Sequence, residues 1–493
     1  MADAKILSPD TPGGAAPIVV WFRDDLRLGD NPAFYEAAET GRPLVCIYVE
    51  EVAGRDVRPL GGAARWWLHG SLLELDRCLQ VNGGRLLLFR GAAEQIVPFV
   101  VAACQATAIF WNRRYLKVER IIDEDLKDRF MQQGIDARSF NGHLLYEPWT
   151  LSTGAKTPFK VFSPFWRAAQ TSGEPGLPLP KPFRVNFHTV PQEVEERSLL
   201  LGELRLEPAS PDWSGGLHAT WQRGERGAQA CLSRFIDEGF AFYAESRDRP
   251  DLSATSRLSP YLRFGNISAR QVWHRLSTAA YARGPALATR NLEKFQSELG
   301  WREFSYHLLY HHPNIATRNF QQKFDGLCWR SDPAALAAWQ RGRTGYPLVD
   351  AGMRELWTTG YMHNRVRMVT ASFLVKDLLI DWREGEAWFW DTLVDADAAN
   401  NAASWQWVTG SGPDAAPFFR IFNPVLQGEK FDPNGNYVRQ WVPELAHLPT
   451  KLIHRPWDAP EPLRLQLRDV YPDPVIDHGK ARVRALEALS LLQ

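Results

Sequence analysis

Three side chains in one predicted helix could hold a flat organic ligand. In SELGWREF, residues 297–304, Glu298, Trp301 and Arg302 lie at positions i, i+3 and i+4. Those spacings place a carboxylate, a large aromatic plate and a guanidinium on one helical face. A core tryptophan flanked by a surface ion pair is the simpler interpretation of the same pattern. The motif alone leaves both interpretations open.

A second helical segment also presents a pair of side chains on one face. In YMHNRVRM, residues 361–368, Asn364 and Met368 are one turn apart. The pair could line a pocket. It could also be a core methionine beside a helix-capping asparagine.

The run ATSRLSPYL, residues 254–262, places hydroxyl groups and an arginine just ahead of an apolar helical pattern. A helix N-terminus of this kind can receive an anion such as phosphate, because its first backbone N–H groups are unpaired. Serine and threonine at such positions more often cap their own helix. The run is therefore a weak indication of a phosphate site.

DADAANN, residues 395–401, concentrates four acid and amide side chains in an otherwise small, apolar segment. These side chains could hydrogen-bond a planar heterocycle, or they could form turns and helix caps. A pair of aspartates can also bind a divalent cation, but histidines and further carboxylates at ligand spacing are missing. We therefore expect no metal site.

The chain has 493 residues, which is more than one hydrophobic core usually supports. Short β-rich runs such as IVVWF, PLVCIYV and RLLLF alternate with helical patterns in its first third. That alternation is typical of βαβ units in a doubly wound parallel sheet. The first strand does not lead into GxGxxG, so a nicotinamide-dependent enzyme is disfavoured.

The patterns predict four parts along the chain. They are a tail at 1–17, an α/β domain at 18–146, a connection rich in proline and glycine at 147–214, and an all-helical domain at 215–493. The connection lacks sustained periodicity, so we expect a long ordered or partly ordered linker.

Composition limits the partners and the compartment. Lys plus Arg and Asp plus Glu both number 57, so any polyanion must meet a local positive patch. The five cysteines form no CxxC pair, which argues against zinc, iron–sulfur and disulfide frameworks. The sequence shows neither a secretory signal nor an apolar run of about 20 residues. We expect a cytoplasmic protein without membrane contact.

Several motifs, taken together and in order, resemble the photolyase and cryptochrome family over nearly the whole chain. They are TSRLSPYL, ELGWREF, GYPLVDAGMREL, MHNRVRMVTASFLVKDLLIDWREGE, DADAANNAASWQW and FFRIFNP. The resemblance implies an α/β domain that binds an antenna chromophore and a helical domain that holds FAD. It also implies light-driven DNA repair, in which excited, reduced FAD sends an electron to a cyclobutane pyrimidine dimer.

By the resemblance, two groups of residues hold FAD. Asn401 matches the position facing the flavin N5 atom, where a side chain influences the redox and protonation state of the ring. The positions that match contacts to the FAD phosphates and adjoining parts are Tyr243, Thr255, Ser256, Arg257, Leu258 and Ser259. The positions that would surround the flavin are Arg302, Asp395, Asp397 and Asn401.

The resemblance likewise implies a pocket for UV-damaged DNA. Glu298 would hydrogen-bond the dimer, and Asn364 and Met368 would line the pocket. Trp301 and Trp407 would pack on the extruded bases. Flipping a lesion out costs a few kcal/mol, which stacking worth about 1–3 kcal/mol per base can offset. The positions that match contacts to the DNA backbone are Arg247, Arg365 and Arg420.

Three tryptophans, Trp405, Trp382 and Trp329, match the family's chain that carries electrons from the surface to the flavin. Core packing is the ordinary role of a tryptophan. Trp405 and Trp407 flank one glutamine in NNAASWQWV, residues 400–408. In a helix two such residues point about 200° apart. We therefore expect Trp405 to face the flavin and Trp407 to face the lesion.

The pocket residues favour repair of cyclobutane dimers. Family members that act on (6-4) photoproducts carry histidines at the two positions occupied here by Asn364 and Met368, since that chemistry needs proton transfer. A photoreceptor of the cryptochrome type without repair activity is the alternative. Such proteins commonly lose the pocket glutamate or tryptophan, which this chain keeps as Glu298 and Trp301.

The segment GGAARWWLHGSL, residues 61–72, looks like plant cryptochromes and class III photolyases, so class III is favoured. The antenna of that group is methenyltetrahydrofolate, which we expect here as a second chromophore. Antenna contacts familiar from class I enzymes are partly kept. Glu119 matches, whereas Val118 and Thr317 stand where an amide and a lysine are expected. We also expect a monomer.

Overall fold

The fold is that of a computed structural model covering residues 15–51, 57–283, 285–414 and 420–492. Its N-terminal part is built on a five-stranded parallel sheet, which confirms the predicted α/β architecture. The strands are β1 (Ile18–Phe22), β2 (Leu44–Glu50), β3 (Leu86–Arg90), β4 (Ala108–Asn112) and β5 (Asp136–Phe140).

The strand order is β3-β2-β1-β4-β5, which creates a crevice at the carboxyl ends of the strands, between β1 and β4. The chain runs outward from β1 through β2 to β3 and then crosses back to β4, where Ala108 pairs with Ile18. Connections after β1 and β4 therefore leave in opposite directions. In open α/β sheets, ligands bind at the carboxyl ends of the strands at such a switch point.

Both faces of strands β1 to β4 are buried, and alternate side chains of these strands belong to two separate cores, whereas the edge strand β5 is exposed or half-buried. Trp21 and Trp111 lie on one face, in the core that packs against α3 and α4. The opposite face packs against α1, α2 and the helical part. The helices of the N-terminal part are α1 (Pro32–Glu39), α2 (Gly62–Gln80), α3 (Ala93–Ala103) and α4 (Lys117–Gln132).

The connection at 147–214 contains two helices that the sequence pattern does not predict, α5 (Phe162–Thr171) and α6 (Gln192–Arg197). The buried residues of α5 are Phe162, Phe165, Trp166 and Ala169. These positions follow the helical period, but the helix has only ten residues, which is short for a prediction from periodicity.

The regular elements that the structure describes after residue 214 are all helical, as predicted. The longer ones are α8 (Gly224–Arg234), α11 (Ala269–Arg283), α12 (Pro285–His311), α13 (Pro333–Gln340), α14 (Pro347–Thr359), α15 (Asn364–Ser372), α16 (Trp382–Thr392), α17 (Asn400–Thr409), α18 (Pro424–Phe431) and α21 (His478–Ser490). The shorter ones are α7 (Gly215–Thr220), α9 (Tyr243–Ser246), α10 (Ser259–Arg263), α19 (Asn436–Trp441) and α20 (Glu461–Leu467). None of the described helices is long and apolar enough to cross a membrane.

One buried hydrogen bond and one half-buried ion pair join the two parts. Trp67 of α2 donates from Nε1 to Asn266 Oδ1 at 3.0 Å. Asp24, just after β1, pairs with Arg263 at 2.8 Å. Separating the two parts would leave these groups without partners, which is costly for buried groups. The strand ends are thereby fixed against the helical part.

Candidate functional site

A cavity of about 360 Å³ in the helical part gathers most of the predicted site residues. Helices α12, α15, α16 and α17 and the segment before α17 supply much of its wall, and we call it the central cavity. Its lining includes Arg247, Asp248, Glu298, Trp301, Asn364, Arg365, Arg367, Met368, Phe389, Asp395, Asp397, Asn400, Asn401, Trp405, Trp407 and Asp414.

Asp395 has one paired and one unpaired carboxylate oxygen. Its Oδ2 accepts hydrogen bonds from Ser259 Oγ at 2.5 Å and from Arg367 Nη2 at 2.8 Å. Its Oδ1 is buried and lacks a partner among the described residues. Because an unpaired buried carboxylate oxygen is costly, the cavity favours a ligand that donates a hydrogen bond there.

Asn401 is held with its carbonyl oxygen available. Its Nδ2 group donates to Glu386 Oε1 at 2.8 Å and to Glu386 O at 3.1 Å. With both amide hydrogens engaged, the group left to meet a ligand is Oδ1, which can only accept. Glu386 also pairs with Arg58 from the N-terminal part at 2.7 Å. A ligand atom opposite Asn401 would therefore be a hydrogen-bond donor.

Asp397 uses both of its oxygens within the protein. Oδ1 accepts from the backbone N–H groups of Ala399 at 2.9 Å and Asn400 at 2.7 Å, and Oδ2 accepts from the Tyr306 hydroxyl. Burial, followed by the Asp397 charge, raises the pKa of Tyr306. The turn-forming interpretation of DADAANN therefore describes Asp397, whereas Asp395 and Asn401 keep atoms free for a ligand.

The predicted lesion residues lie on three of the helices. Glu298 and Trp301 belong to α12, Asn364 and Met368 to α15, and Trp407 to α17. These five side chains are exposed or half-buried, whereas Asp395, Asp397 and Asn401 are buried. The first group therefore lies nearer to solvent and the second group lies deeper in the same cavity.

The three arginines predicted to contact DNA differ in their surroundings. Arg247 donates to Glu298 Oε1, which also pairs with Lys294 at 3.3 Å. Arg365 pairs with Asp248 at 2.7 Å. Both arginines line the central cavity. Arg420 is exposed, and the described lining does not include it.

Arg302 does not join Glu298 and Trp301, although the spacing predicts one shared face. Its guanidinium contacts Glu303 at 2.8 Å and His143 Nε2 at 2.7 Å, on the side of α12 that meets the N-terminal part. Burial, followed by the charge of Arg302, lowers the pKa of His143. Glu303, the next residue, accepts from the backbone N–H of Leu145 at 2.8 Å. Arg302 is thus tied to the domain interface.

The segment predicted to contact phosphate reaches the cavity through Ser259, the residue that bonds Asp395. The helix that follows it, α10, has five residues, and its N-cap has no side-chain hydrogen bond. Arg257 has φ of +51° and lies over the rings of Trp221 at 4.5 Å and Tyr361 at 4.8 Å. Its Nε is buried without a partner among the described residues. The described lining does not include Tyr243, Thr255, Ser256, Arg257, Leu258 or Ser259 itself, so the segment meets the cavity only through the bond from Ser259 to Asp395.

The segment NNAASWQWV is helical, as expected, but both tryptophans reach the central cavity. Trp405 is buried and packs against Phe389 at 5.0 Å, whereas Trp407 is half-buried. Gln406 between them is fully buried, and its Nε2 donates to the carbonyls of Ile315 at 2.6 Å and Arg318 at 2.8 Å. Both tryptophans therefore line one cavity, Trp405 as a buried side chain and Trp407 as a half-buried one.

Of the other two tryptophans of the predicted relay, Trp329 is more exposed than Trp382. Trp382 is fully buried and donates from Nε1 to Asn319 Oδ1 at 3.0 Å. Trp329 is half-buried. Gly385, one turn after Trp382, lies against the Trp405 ring, where an added Cβ would come within 2.1 Å. The helix that carries Trp382 therefore packs directly on Trp405.

A second cavity of about 540 Å³, the interdomain cavity, lies at the switch point of the sheet. Glu119 and Thr317 line it, whereas Val118 packs in the core beneath α4. Burial raises the pKa of Glu119 to about 7, against the opposing effect of Arg114 at 3.6 Å. Asp397 lines this cavity as well as the central one.

The sequence motifs do not single out Arg367, Glu386 or Asp414 as site residues. Arg367 stands three residues after Asn364, so helical spacing could have placed it on the same side of α15. Glu386 and Asp414 act through contacts that the spacing of their motifs does not reveal. Within the described residues, no group of three or more histidine, cysteine, aspartate or glutamate side chains could hold a metal ion.

Two family descriptions match most of the chain. Residues 18–183 match the family described as DNA photolyase, and residues 295–491 match the family described as FAD binding domain of DNA photolyase.

Individual proteins match over nearly the full length. The chain is 48% identical to a deoxyribodipyrimidine photo-lyase of Agrobacterium fabrum, over 97% of this chain and 98% of that protein. It is 39% identical to cryptochrome-1 of Arabidopsis thaliana, over 97% of this chain and 71% of that protein. The crystal structure of a bacterial class III photolyase from Agrobacterium tumefaciens superimposes with a TM-score of 0.92 at 47% identity, covering 99% of both chains.

Proposed function

Because the chain belongs to the photolyase and cryptochrome family, we propose that it is a light-dependent DNA repair enzyme, a deoxyribodipyrimidine photo-lyase. It would split cyclobutane pyrimidine dimers in UV-damaged DNA, using reduced FAD and blue light. The similarity to a class III structure supports placing it in class III.

One observation carries the proposal: residues expected to bind the lesion and residues expected to bind the flavin line the same cavity. Glu298, Trp301 and Asn364 lie nearer to solvent, and Asp395 and Asn401 lie deeper. A cofactor at the deeper residues would directly adjoin a base entering from solvent. Electron transfer between the two needs that proximity.

Residues at the deep end of the cavity, together with Ser259 and Arg257 outside its described lining, fit FAD. Asp395 Oδ1 and Arg257 Nε are a buried acceptor and a buried donor without partners, as a polar ligand would require. Asp395, Asn401, Ser259 and Arg257 would hold the cofactor, and Asn401 would accept a hydrogen bond from a ring N–H group. FAD supplies the light-driven electron that opens the dimer.

The outer residues would receive the lesion after it flips out of the duplex. Trp301 and Trp407 offer aromatic faces on which its bases could stack. Glu298 would hydrogen-bond the dimer through Oε2 while its Oε1 stays paired with Arg247. The amide and thioether of Asn364 and Met368 provide no proton-transfer group, which suits cyclobutane dimers. Arg247 and Arg365, at the cavity, and the exposed Arg420 would contact the DNA backbone.

We infer that Trp405, Trp382 and Trp329 form an electron relay from solvent to the flavin. The first two tryptophans are buried, and Trp329, the last, is half-buried. The packing of Gly385 against Trp405 brings the helix that carries Trp382, the second member, close to Trp405, the first member.

We also propose that methenyltetrahydrofolate binds in the interdomain cavity as an antenna. The cavity lies where α/β sheets bind ligands, and Glu119 and Thr317 line it. A carboxylate such as Glu119 can accept paired hydrogen bonds from an amino-pterin ring. The five free cysteines suit a reducing compartment, and we propose a monomer acting in the cytoplasm.

The deciding experiment is repair of a dimer-containing oligonucleotide under blue light with chemically reduced protein. We expect loss of dimers with light and none in the dark. A protein that binds and photoreduces FAD yet repairs nothing in the light would instead be a photoreceptor of the cryptochrome type, and the repair proposal would be abandoned.

A further inference from the structure

Trp301 is backed by aromatic rings from the connection between the two parts. The centroids of the Phe162 and Trp301 rings are 3.8 Å apart, and the ring planes differ by 10°. Trp166 continues the stack, 6.3 Å from Phe162 with planes 9° apart. Phe162 is buried and is not among the described residues that line the central cavity. One face of Trp301 is therefore covered from behind, while the indole also lines the cavity.

The helix that carries this stack, α5, is fixed against α12. Gly300 lacks a side chain where Trp166 approaches, and an added Cβ would lie 2.5 Å from the Trp166 ring. The backbone N–H of Phe162 donates to Asp414 Oδ2 at 3.3 Å, and Asp414 lines the central cavity. Aromatic pairs left to themselves prefer offset or edge-to-face arrangements over a close parallel sandwich. The surrounding packing therefore holds the rings parallel.

We propose that Phe162 is a positioning residue for Trp301, which fixes the plane of the indole that receives a flipped base. The inference rests on the proposed function, because that function makes Trp301 a stacking surface. A tryptophan free to turn about its side-chain torsions loses that freedom when a base stacks on it, and binding is weakened accordingly. Phe162 removes this cost in advance. The connection thus contributes to lesion recognition without touching the lesion.

The test compares two substitutions at Phe162 with a matched change on the same helix. Phe162→Leu keeps an apolar side chain but removes the ring, and Phe162→Tyr keeps the ring. Phe165→Leu is the control, because Phe165 is buried in α5 and packs on Phe304 and His307. We expect Phe162→Leu to raise the Kd for a dimer-containing oligonucleotide about three- to tenfold, as expected for loss of an aromatic pair.

The Kd for the same oligonucleotide without a dimer should stay unchanged, and so should the repair yield of the saturated complex. Phe162→Tyr, which keeps the ring, should have the wild-type Kd for the dimer-containing oligonucleotide. Phe165→Leu should lower thermal stability as Phe162→Leu does, but keep the preference for the dimer. Equal losses of preference in both leucine variants, or none in Phe162→Leu, would overturn the proposal.

A measurement without DNA separates this inference from the proposed function. In near-ultraviolet circular dichroism, Phe162→Leu and Trp301→Phe should remove the same contribution of the parallel rings. A wild-type spectrum for Phe162→Leu would refute the positioning role. If wild-type protein shows no preference for dimers, the repair proposal fails, and this spectrum still decides whether Phe162 orders the indole.

Discussion

The central cavity and the interdomain cavity share a wall but are built differently. Asp397 lines both. Most of the central cavity comes from helices of one part, which present tryptophans, amides and an incompletely paired carboxylate. In the interdomain cavity, groups of the two parts meet as ion pairs, such as Arg58 with Glu386 at 2.7 Å and Asp24 with Arg263 at 2.8 Å. The first cavity therefore needs only one rigid scaffold, whereas the second exists only because two parts pack together.

Changes in the central cavity should therefore remove flavin or repair. Changes in the interdomain cavity, other than those at the shared Asp397 and at Glu386, which holds Asn401, should affect light collection and stability and leave the flavin in place.

The largest effect is expected for Asp395→Ala. The change leaves the half-buried Arg367 without its carboxylate partner and costs about 1–3 kcal/mol of folding free energy, since a charge-assisted hydrogen bond is lost. We expect protein purified with little bound flavin, measured by its absorption spectrum and by thermal unfolding. Glu119→Gln, in the interdomain cavity, is the control and should retain full flavin content. Equal flavin loss in both proteins would contradict the separation of the two cavities.

Trp382→Phe should slow photoreduction of the flavin at least about tenfold, which corresponds to about 1.4 kcal/mol. Repair by chemically reduced protein should remain nearly intact, because the relay serves only to reduce the flavin. Trp66→Phe makes a matched change in the N-terminal part, where a buried indole also donates a hydrogen bond, to His218 at 3.1 Å. Transient absorption should show normal photoreduction in that control. Loss of repair and photoreduction to the same extent in Trp382→Phe would argue against the relay.

Glu298→Ala should lower the repair quantum yield about two- to tenfold, the effect of one hydrogen bond. The Kd for dimer-containing DNA should change less, because the tryptophans supply most of the stacking surface. Quantum yield and a binding titration should be measured on the same preparation. An unchanged yield would remove Glu298 from the mechanism.

The smallest effect on repair is expected for Glu119, which acts on the pH dependence of stability. Burial raises the pKa of Glu119 to about 7, above its value in the unfolded chain, so the folded protein holds this proton more tightly. Its contribution to stability is present at low pH and is lost as pH rises from about 5 to 7. In Glu119→Gln, the decrease in the free energy of unfolding between about pH 5 and 7 should be smaller than in wild type by about 2 kcal/mol. Urea unfolding at several pH values measures this difference.

Glu303 serves as an internal reference for that measurement. Burial also raises the pKa of Glu303 to about 7. Its titration should lower stability as pH rises in both wild type and Glu119→Gln. A pH slope identical in wild type and Glu119→Gln would contradict the expected titration of Glu119.

The sequence predicts best what is encoded within single elements. Short β-rich runs between helical patterns predict the parallel sheet, and family motifs predict the FAD-binding helical domain, which the structure and the comparisons confirm. Helical spacing also brings Glu298 and Trp301 to one cavity, because both stand on the same face of α12.

Spacing could not predict which neighbour each side chain would meet across the fold. Arg302 shares that spacing with Glu298, but the buried carboxylate of Glu303 and the ring of His143 draw it to the domain interface. The interdomain cavity could not be predicted from the sequence for the same reason, since its ion pairs join residues hundreds of positions apart. The stack on Trp301 likewise depends on a helix too short to stand out in the sequence.

The shared wall at Asp397 has a thermodynamic consequence. Two ligands that touch one side chain from opposite sides can change each other's affinity through it, and any such linkage is reciprocal. If bound flavin multiplies the affinity for the antenna by some factor, bound antenna multiplies the affinity for the flavin by the same factor. Titrating the antenna into flavin-free and flavin-loaded protein measures that factor, and a ratio of one would mean that Asp397 separates two independent compartments.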